Sequence, residues 1–259
     1  MFNNVFAIAL VVVKELYRRK DFYVLFVLTA LITLLMGSVN FFHDDQVVRY
    51  LKEICLLLIW ISGLVMAIGT TARQIPAERE SRTIFPLLAK PVTRSHLVLG
   101  KFLGCWLACG FALVLFYLFF GVVSATRDHS GWFLSYFQAL WLQWVMLAIV
   151  IAVTLLGSIV FAAPSSNATI CFVVVAGILL LGRHLDKVAL QLSEPVRSIT
   201  YALYFAIPHL ELFDVRDLIV HSWGLIAWPI WLLATLYAWA YTAFFLVATC
   251  LVFRRKPLN

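Results

Sequence analysis

The chain has 259 residues, of which 63% are hydrophobic and 13% charged, and its formal net charge is +7. A soluble domain carries about 25% charged residues, so the deficit places the chain in the membrane class. In that class a basic excess reports topology and attraction to anionic headgroups, and the charge is not read as nucleic-acid binding.

Residues 1–20 carry Phe2, Val5, Phe6, Ala9, Val12, Val13 and Leu16 at three- and four-residue spacing and end in Lys14, Arg18, Arg19 and Lys20. The stretch lacks both a basic start and a small-residue cleavage site, so it does not read as a secretory signal. Its pattern predicts an amphipathic helix lying in the headgroup layer. A spanning helix needs about 20 mainly apolar residues. Residues 22–42, 54–72 and 102–126 meet that length. Gly131 to Gly182 contains no Asp, Glu, Lys or Arg and is too long for one span. Pro164, within the run Ala163 to Asn167, divides it into spans at 140–162 and 166–182. The last span is 231–253, with Pro229 separating an interfacial entry from the span proper. The expectation is one all-α transmembrane domain, 1–259, with six spans and both termini on one side. Thirteen basic residues then share the side of the termini and seven the other, so the termini are placed in the cytoplasm.

The span centres hold no ionisable residue. Ion-driven carriers and membrane enzymes both need such groups near the substrate. Ser62, Thr70, Thr71, Gln138, Gln143, Thr154 and Ser158 read as helix–helix hydrogen bonds. Cys105 and Cys109 lie one turn apart in an apolar helix, without a CxxC pair or a histidine at ligand spacing, and read as packing residues. His209, Glu211, Asp214 and Asp217 are poorly spaced for a metal on one helix face, because 209 and 211 point apart. No metal or cofactor is expected in the chain.

The exception to the greasy pattern is ARQIPAERESRTIFPLLAKPVTRSHLVLGK, Ala72 to Lys101. Pro76 suits a first helical turn, Glu78 and Glu80 suit the positive end of a helix dipole, and Glu78 and Arg82 form a favourable pair four apart. Pro86 disrupts the helix and Pro91 stops it. Ile84, Phe85 and Leu88 offer an apolar edge. A short helix over about 76–90 that docks a partner and a solvated loop obeying charge topology are both compatible with this block. Its Gly100-Lys101 pair is not a phosphate loop, since Ser95 stands where the first glycine belongs and Phe102 follows the lysine. Any energy for work must come from another chain.

Glu78, Glu80, Thr83, Leu87, Leu88, Pro91, Arg94, Gly100 and Lys101 together resemble the cytoplasmic loop of ABC-2 type permeases, the membrane subunits of type-2 ABC exporters. Arg82 replaces that family's usual glycine before the threonine. Ile207 to Asp217, IPHLELFDVRD, is similar to the segment before the last span in the subgroup that includes the nitrous-oxide-reductase maturation permease. The resemblance implies a non-catalytic permease subunit of a bacterial inner-membrane ABC transporter. It implies a coupling helix seated in a separate ATP-binding cassette subunit, with Glu78, Arg79, Glu80 and Arg82 as polar contacts and Ile84, Phe85 and Leu88 as apolar anchors. ATP and Mg would be bound by that partner, and a second permease copy would complete the unit.

Residues 183–227 form the long outer loop, predicted as two short helices interrupted at Pro195 and Pro208. The resemblance implies that Pro208, Leu210, Phe213 and Asp214 belong to an outer gate or a periplasmic partner loop, and an interfacial cap on the bundle is the equal alternative. The tryptophans at 132, 141, 144, 223, 228 and 231 read as interfacial belts, with an aromatic pathway as the other reading. The expected function is substrate export powered by the partner ATPase. The alternative is the same machine acting mechanically on a periplasmic protein or lipoprotein.

Overall fold

The computed structural model describes residues 2–18, 23, 24, 27, 30, 31, 45–80, 93–125, 133–161, 163–190, 192–221 and 223–256. Among them every regular element is helical. They are α1 (Phe2–Arg18), α2 (Asp45–Thr71), α3 (Gln74–Glu80), α4 (Arg94–Ala125), α5 (Phe133–Val160), α6 (Pro164–Ala189), α7 (Val196–Ala206), a 3-10 turn (Leu210–Phe213), α8 (Arg216–Val220) and α9 (Trp228–Arg255). The expected span 22–42 lies largely outside the described residues, and so does the charged block from 81 to 92.

Four stretches among the described residues are long and apolar enough to cross a membrane: Lys52–Glu80, Arg94–Val122, Leu134–Val160 and Trp228–Arg255. They overlap the expected spans 54–72, 102–126, 140–162 and 231–253. Pro164–Leu180 is a shorter apolar helix. It offers roughly 26 Å of apolar rise against a hydrocarbon layer of about 30 Å. The break at Ala163 is where the sequence put it, with Pro164 opening α6. Residues 223–227 are non-helical and α9 begins at Trp228, beside Pro229. The proline stands in the first turn of α9, where its missing N–H costs nothing.

α5 is the axle of the bundle. From Val145 to Ala152 no residue is more than 1% exposed, as expected of a helix that is hydrophobic all round. α9 packs on α5 through Thr235, Ala238, Thr242 and Thr249, a stripe of small residues, and leaves Leu233, Leu236 and Phe244 exposed. Small residues let helices approach closely where lipid provides no hydrophobic drive between them. α1 lies across the first turns of α4. Gly100 and Gly104 make room there, because a Cβ at either would come within 2.7 Å of Ile8 Cβ or 2.6 Å of Val12 Cβ. Ala9, Val12 and Leu16 are buried in this contact, while Phe6, Leu10 and Val11 stay exposed. The amphipathic face is thus divided between protein and surroundings. Phe6, at 59% exposed, is on the side turned to the surroundings.

Tryptophan packing also departs from a pure belt. Trp106 of α4 and Trp144 of α5 stack with centroids 4.3 Å apart. Each indole N–H donates to the other residue's carbonyl, at 3.0 and 2.9 Å. Gly110 leaves the space that Trp144 fills. Trp141 donates to Thr235 Oγ1 at 3.2 Å and packs on Trp231. Trp141, Trp144 and Trp231 therefore join helices, whereas Trp223 and Trp228 are exposed.

Candidate functional site

α2 ends at Thr71, the chain turns over Ala72 and Arg73, and α3 starts at Gln74. The bend keeps its helical bonds on both sides, from Ala72 N–H to Ile68 O at 2.9 Å and from Ala77 N–H to Arg73 O at 3.0 Å. Pro76 falls in the first turn of α3, as the sequence predicted. Gln74, Ile75 and Pro76 are buried, Glu78 and Arg79 are half-buried, and Glu80 is exposed. The expected helix at 76–90 is thus seen from Gln74 to Glu80. Arg82, Thr83, Ile84, Phe85, Leu88 and Pro91 lie outside the described residues.

α3 is clamped to α4. Lys101 is 3% exposed, and its Nζ sits 2.5 Å from Glu78 Oε1 and donates to Gln74 Oε1 at 3.0 Å. A buried ammonium needs an opposite charge and further acceptors, and both come from one face of α3. Glu78 therefore spends one carboxylate oxygen inside the chain, and Arg79 and Glu80 are the residues of α3 turned outward. Gly100, beside Lys101, is required by the close approach of α1.

Arg94 ties a third element to this end. Its Nη1 donates to Phe253 O at 2.7 Å, Lys256 O at 3.0 Å and Arg254 O at 3.3 Å, with the guanidinium 5.5 Å from the Phe253 ring. A cation on the last carbonyls of α9 satisfies orphan acceptors and the negative end of the dipole. Lys256 does the same for α5, donating to Ile159 O at 2.6 Å. Thr93 and His96 close a reciprocal cap at the start of α4. His96 N–H donates to Thr93 Oγ1 and Thr93 N–H to His96 Nδ1, both at 3.4 Å. A histidine thus takes the third-position role that Glu or Gln usually has. α3, the start of α4, α1 and the last turn of α9 therefore gather at one end of the bundle.

Beside the elbow lies a half-open cavity of about 410 Å³ between α1, α2 and α4, walled by Leu16, Val65, Met66, Ala108, Phe111 and Ala112. Thr70 in its wall bonds its own helix, at Met66 O, 2.6 Å away. Tyr17, Arg73 and Cys109 also line it, but most of the wall is apolar and accepts apolar groups. Thr154 and Ser158 bond carbonyls of α5, while the Thr70 and Thr154 hydroxyls also meet Cys109 of α4 and Cys171 of α6. Gln143 does bridge helices, donating to Ile59 O at 3.4 Å and accepting from Tyr117 OH at 3.0 Å.

The other end is held by different chemistry. Leu210 and Phe213 are 1% exposed and Pro208 is buried, so the 3-10 turn is anchored in the bundle. Asp214 accepts both Nε and Nη2 of Arg216, at 2.7 and 2.8 Å, and Arg216 lies 5.2 Å from the Trp60 ring. The Asp214 carboxylate raises the Arg216 pKa, opposing burial, and holds the guanidinium charged. His209 and Glu211 do not point apart. Nδ1 and Oε1 are 3.3 Å from each other, because His209 precedes a 3-10 turn and does not share an α-helix with Glu211. Gln138 forms two bonds with the backbone of Ile226, at 3.1 and 3.0 Å, and pins the chain entering α9. Among the described residues no three His, Cys, Asp or Glu side chains could hold a metal ion.

A helical bundle with four stretches long and apolar enough to cross a membrane among the described residues, and a short helix clamped at the end of one of them, is that of a multi-pass membrane protein. The chain matches the family described as ABC-2 family transporter protein over residues 5–258 and belongs to it. It is accordingly a membrane component of an ABC transporter. A comparison with curated proteins returns no match.

The sequence singled out Glu78, Arg94, Gly100 and Lys101 on resemblance, and the geometry gives three of them, Arg94, Gly100 and Lys101, scaffold roles. Two participants were missed. The Gly100-x-x-x-Gly104 spacing is a small-residue signal that would have placed α1 on α4. Asn167 was read only as part of a break, and no spacing rule reports its partners.

Proposed function

We propose that the chain is the permease subunit of an exporter in the bacterial cytoplasmic membrane, with six spans and both termini in the cytoplasm. The missing spans in this reading are 22–42 and the α6 segment 166–182. A separate ATP-binding cassette subunit binds ATP and Mg and receives α3, together with Arg82, Ile84, Phe85 and Leu88, in a groove. A second permease copy completes the pathway. Pro208, Leu210, Phe213 and Asp214 brace its outer end and serve as gate or partner loop.

The observation that carries this reading is the clamped elbow. A push at α3 moves a bundle only if α3 cannot pivot freely, and the buried contacts of Lys101 with Glu78 and Gln74 resist that pivot. Arg79 and Glu80 remain available for a partner surface. The test is copurification of the full chain from its native membrane. An ATP-binding cassette subunit is expected with it, and Arg79→Glu combined with Glu80→Lys should reduce its recovery about tenfold, the usual scale for losing charged contacts. Purification of the intact chain without any such ATPase overturns the proposal.

A further inference from the structure

The turn between α5 and α6 reaches the elbow through one side chain. Asn167 is fully buried, and its Nδ2 donates to Ala72 O at 3.4 Å and to Thr154 O at 3.2 Å. Its Oδ1 accepts from Cys171 Sγ at 3.3 Å. The Ala72 carbonyl has a specific need. In a continuous helix its donor would be the N–H four residues on, and that residue is Pro76, which has none. Ala72 is itself fully buried, so water is a poor substitute and the carbonyl would be left unsatisfied. The Asn167 amide supplies the bond that the proline withholds. Gly157 is the third part, because any Cβ there would collide with Asn167 Oδ1.

We infer that Asn167 is a positioning residue that fastens the bend at Ala72 to the α5–α6 turn, so that displacement of α3 is delivered to α5 and α6 as well as to α2. This rests on the reading of α3 as the element the ATPase pushes. Lys101 holds the elbow to α4 on one side, and Asn167 holds it to α5 and α6 on the other. α3 also packs directly on α5. Such dispersion contacts have no preferred direction, so without the second hold a push would be absorbed by bending at Ala72 and Arg73. The position requires a donor of this length: leucine has the shape without the donor, and aspartate has the shape and the acceptor.

The test is amide hydrogen exchange on the full chain with its copurifying ATPase in lipid nanodiscs, with and without ATP plus vanadate. Peptides covering 68–80 and 157–170 are read. In the unaltered protein both peptides should change protection together on nucleotide trapping. In Asn167→Leu the basal exchange of both should rise about tenfold, the loss expected for one buried hydrogen bond. The nucleotide response should then persist at 68–80 and vanish at 157–170. Asn167→Asp serves where the leucine variant is not recovered from membranes, with the same expected split. A residue that only filled space would be replaced by leucine without altering the response, so a retained response at 157–170 in either variant overturns the inference. If nucleotide alters neither peptide in the unaltered protein while Asn167→Leu still loosens both, the ATPase reading fails and the fastening stands. If Asn167→Leu leaves 68–80 as protected as before, the fastening itself is refuted.

Discussion

Replacing Lys101 by methionine removes the ammonium and keeps most of the stem. It strands the Glu78 carboxylate, whose side chain is 19% exposed, and the Gln74 acceptor, on a residue 4% exposed. Removing one partner of a fully buried pair costs about 3–5 kcal/mol. Water reaches Glu78 in part, which lowers the cost here to about 2–3 kcal/mol. Glu78→Met strands the charge at the deeper site, where Lys101 keeps only Gln74, so it should cost more than Lys101→Met. The double variant strands neither charge and should be less destabilised than the sum of the two, by about 1–3 kcal/mol. The assay is denaturant unfolding of the full chain in nanodiscs, followed by its nine tryptophans. Single-variant losses that add to within about 0.5 kcal/mol would mean that the two groups do not interact and that the clamp is not a clamp.

Gly104→Leu should lift α1, since a Cβ there lies 2.6 Å from Val12 Cβ. Overpacking of this kind costs about 1–3 kcal/mol, and a thiol placed by Ala9→Cys, at a site 1% exposed, should become reactive only in the Gly104→Leu background. Arg94→Ala should raise amide exchange at 250–256 about tenfold, because the last carbonyls of α9 lose a charged donor. Gln138→Leu strands both the N–H and the C=O of Ile226, at about 1–3 kcal/mol for each group left unsatisfied. Gln138→Glu keeps the acceptor, and its unfolding midpoint should fall between those of Gln138→Leu and the unaltered chain.

Much of the bundle was legible because a membrane imposes one-dimensional rules. Charge-free runs marked the four stretches that are long and apolar enough to cross a membrane among the described residues, and Pro164 marked the break between α5 and α6. Helix ends were less legible. α2 starts at Asp45 and α4 at Arg94, well before the apolar runs begin, because a helix can continue past the hydrocarbon where water and headgroups solvate its charged side chains. The tryptophans misled for a related reason. Hydropathy reports that Trp141 and Trp144 are apolar but not whether lipid or a neighbouring helix covers them. His209 and Glu211 misled because helical periodicity was assumed across a 3-10 turn. At the elbow, the motif residues were visible but their partners were not. Glu78 and Lys101 are more than twenty residues apart in sequence, and nothing in either stretch shows that they meet.

The distribution of directed contacts bears on how the proposed push at α3 would travel through spans with no ionisable residue at their centres. At the elbow end, Arg94 grips the last turn of α9, Lys256 the last turn of α5, Lys101 grips α3, and Asn167 the bend after α2. Four of these contacts meet carbonyls or side chains at helix termini, so they fix where each helix ends without crossing the middle of the bundle. At the other end Gln138, Tyr237 and Arg216 play the same part for the chain entering α9, for His209 and for Asp214. Between the two ends contacts are mostly apolar, with Gln143, the Trp106–Trp144 pair and the Trp141–Thr235 bond among the directed ones. Dispersion contacts have no preferred direction, so helices can shift against each other there at small cost, while a shift at either end breaks hydrogen bonds that water is poorly placed to replace. Movement imposed on α3 should therefore carry the laced end as a unit and be taken up in the middle of the spans.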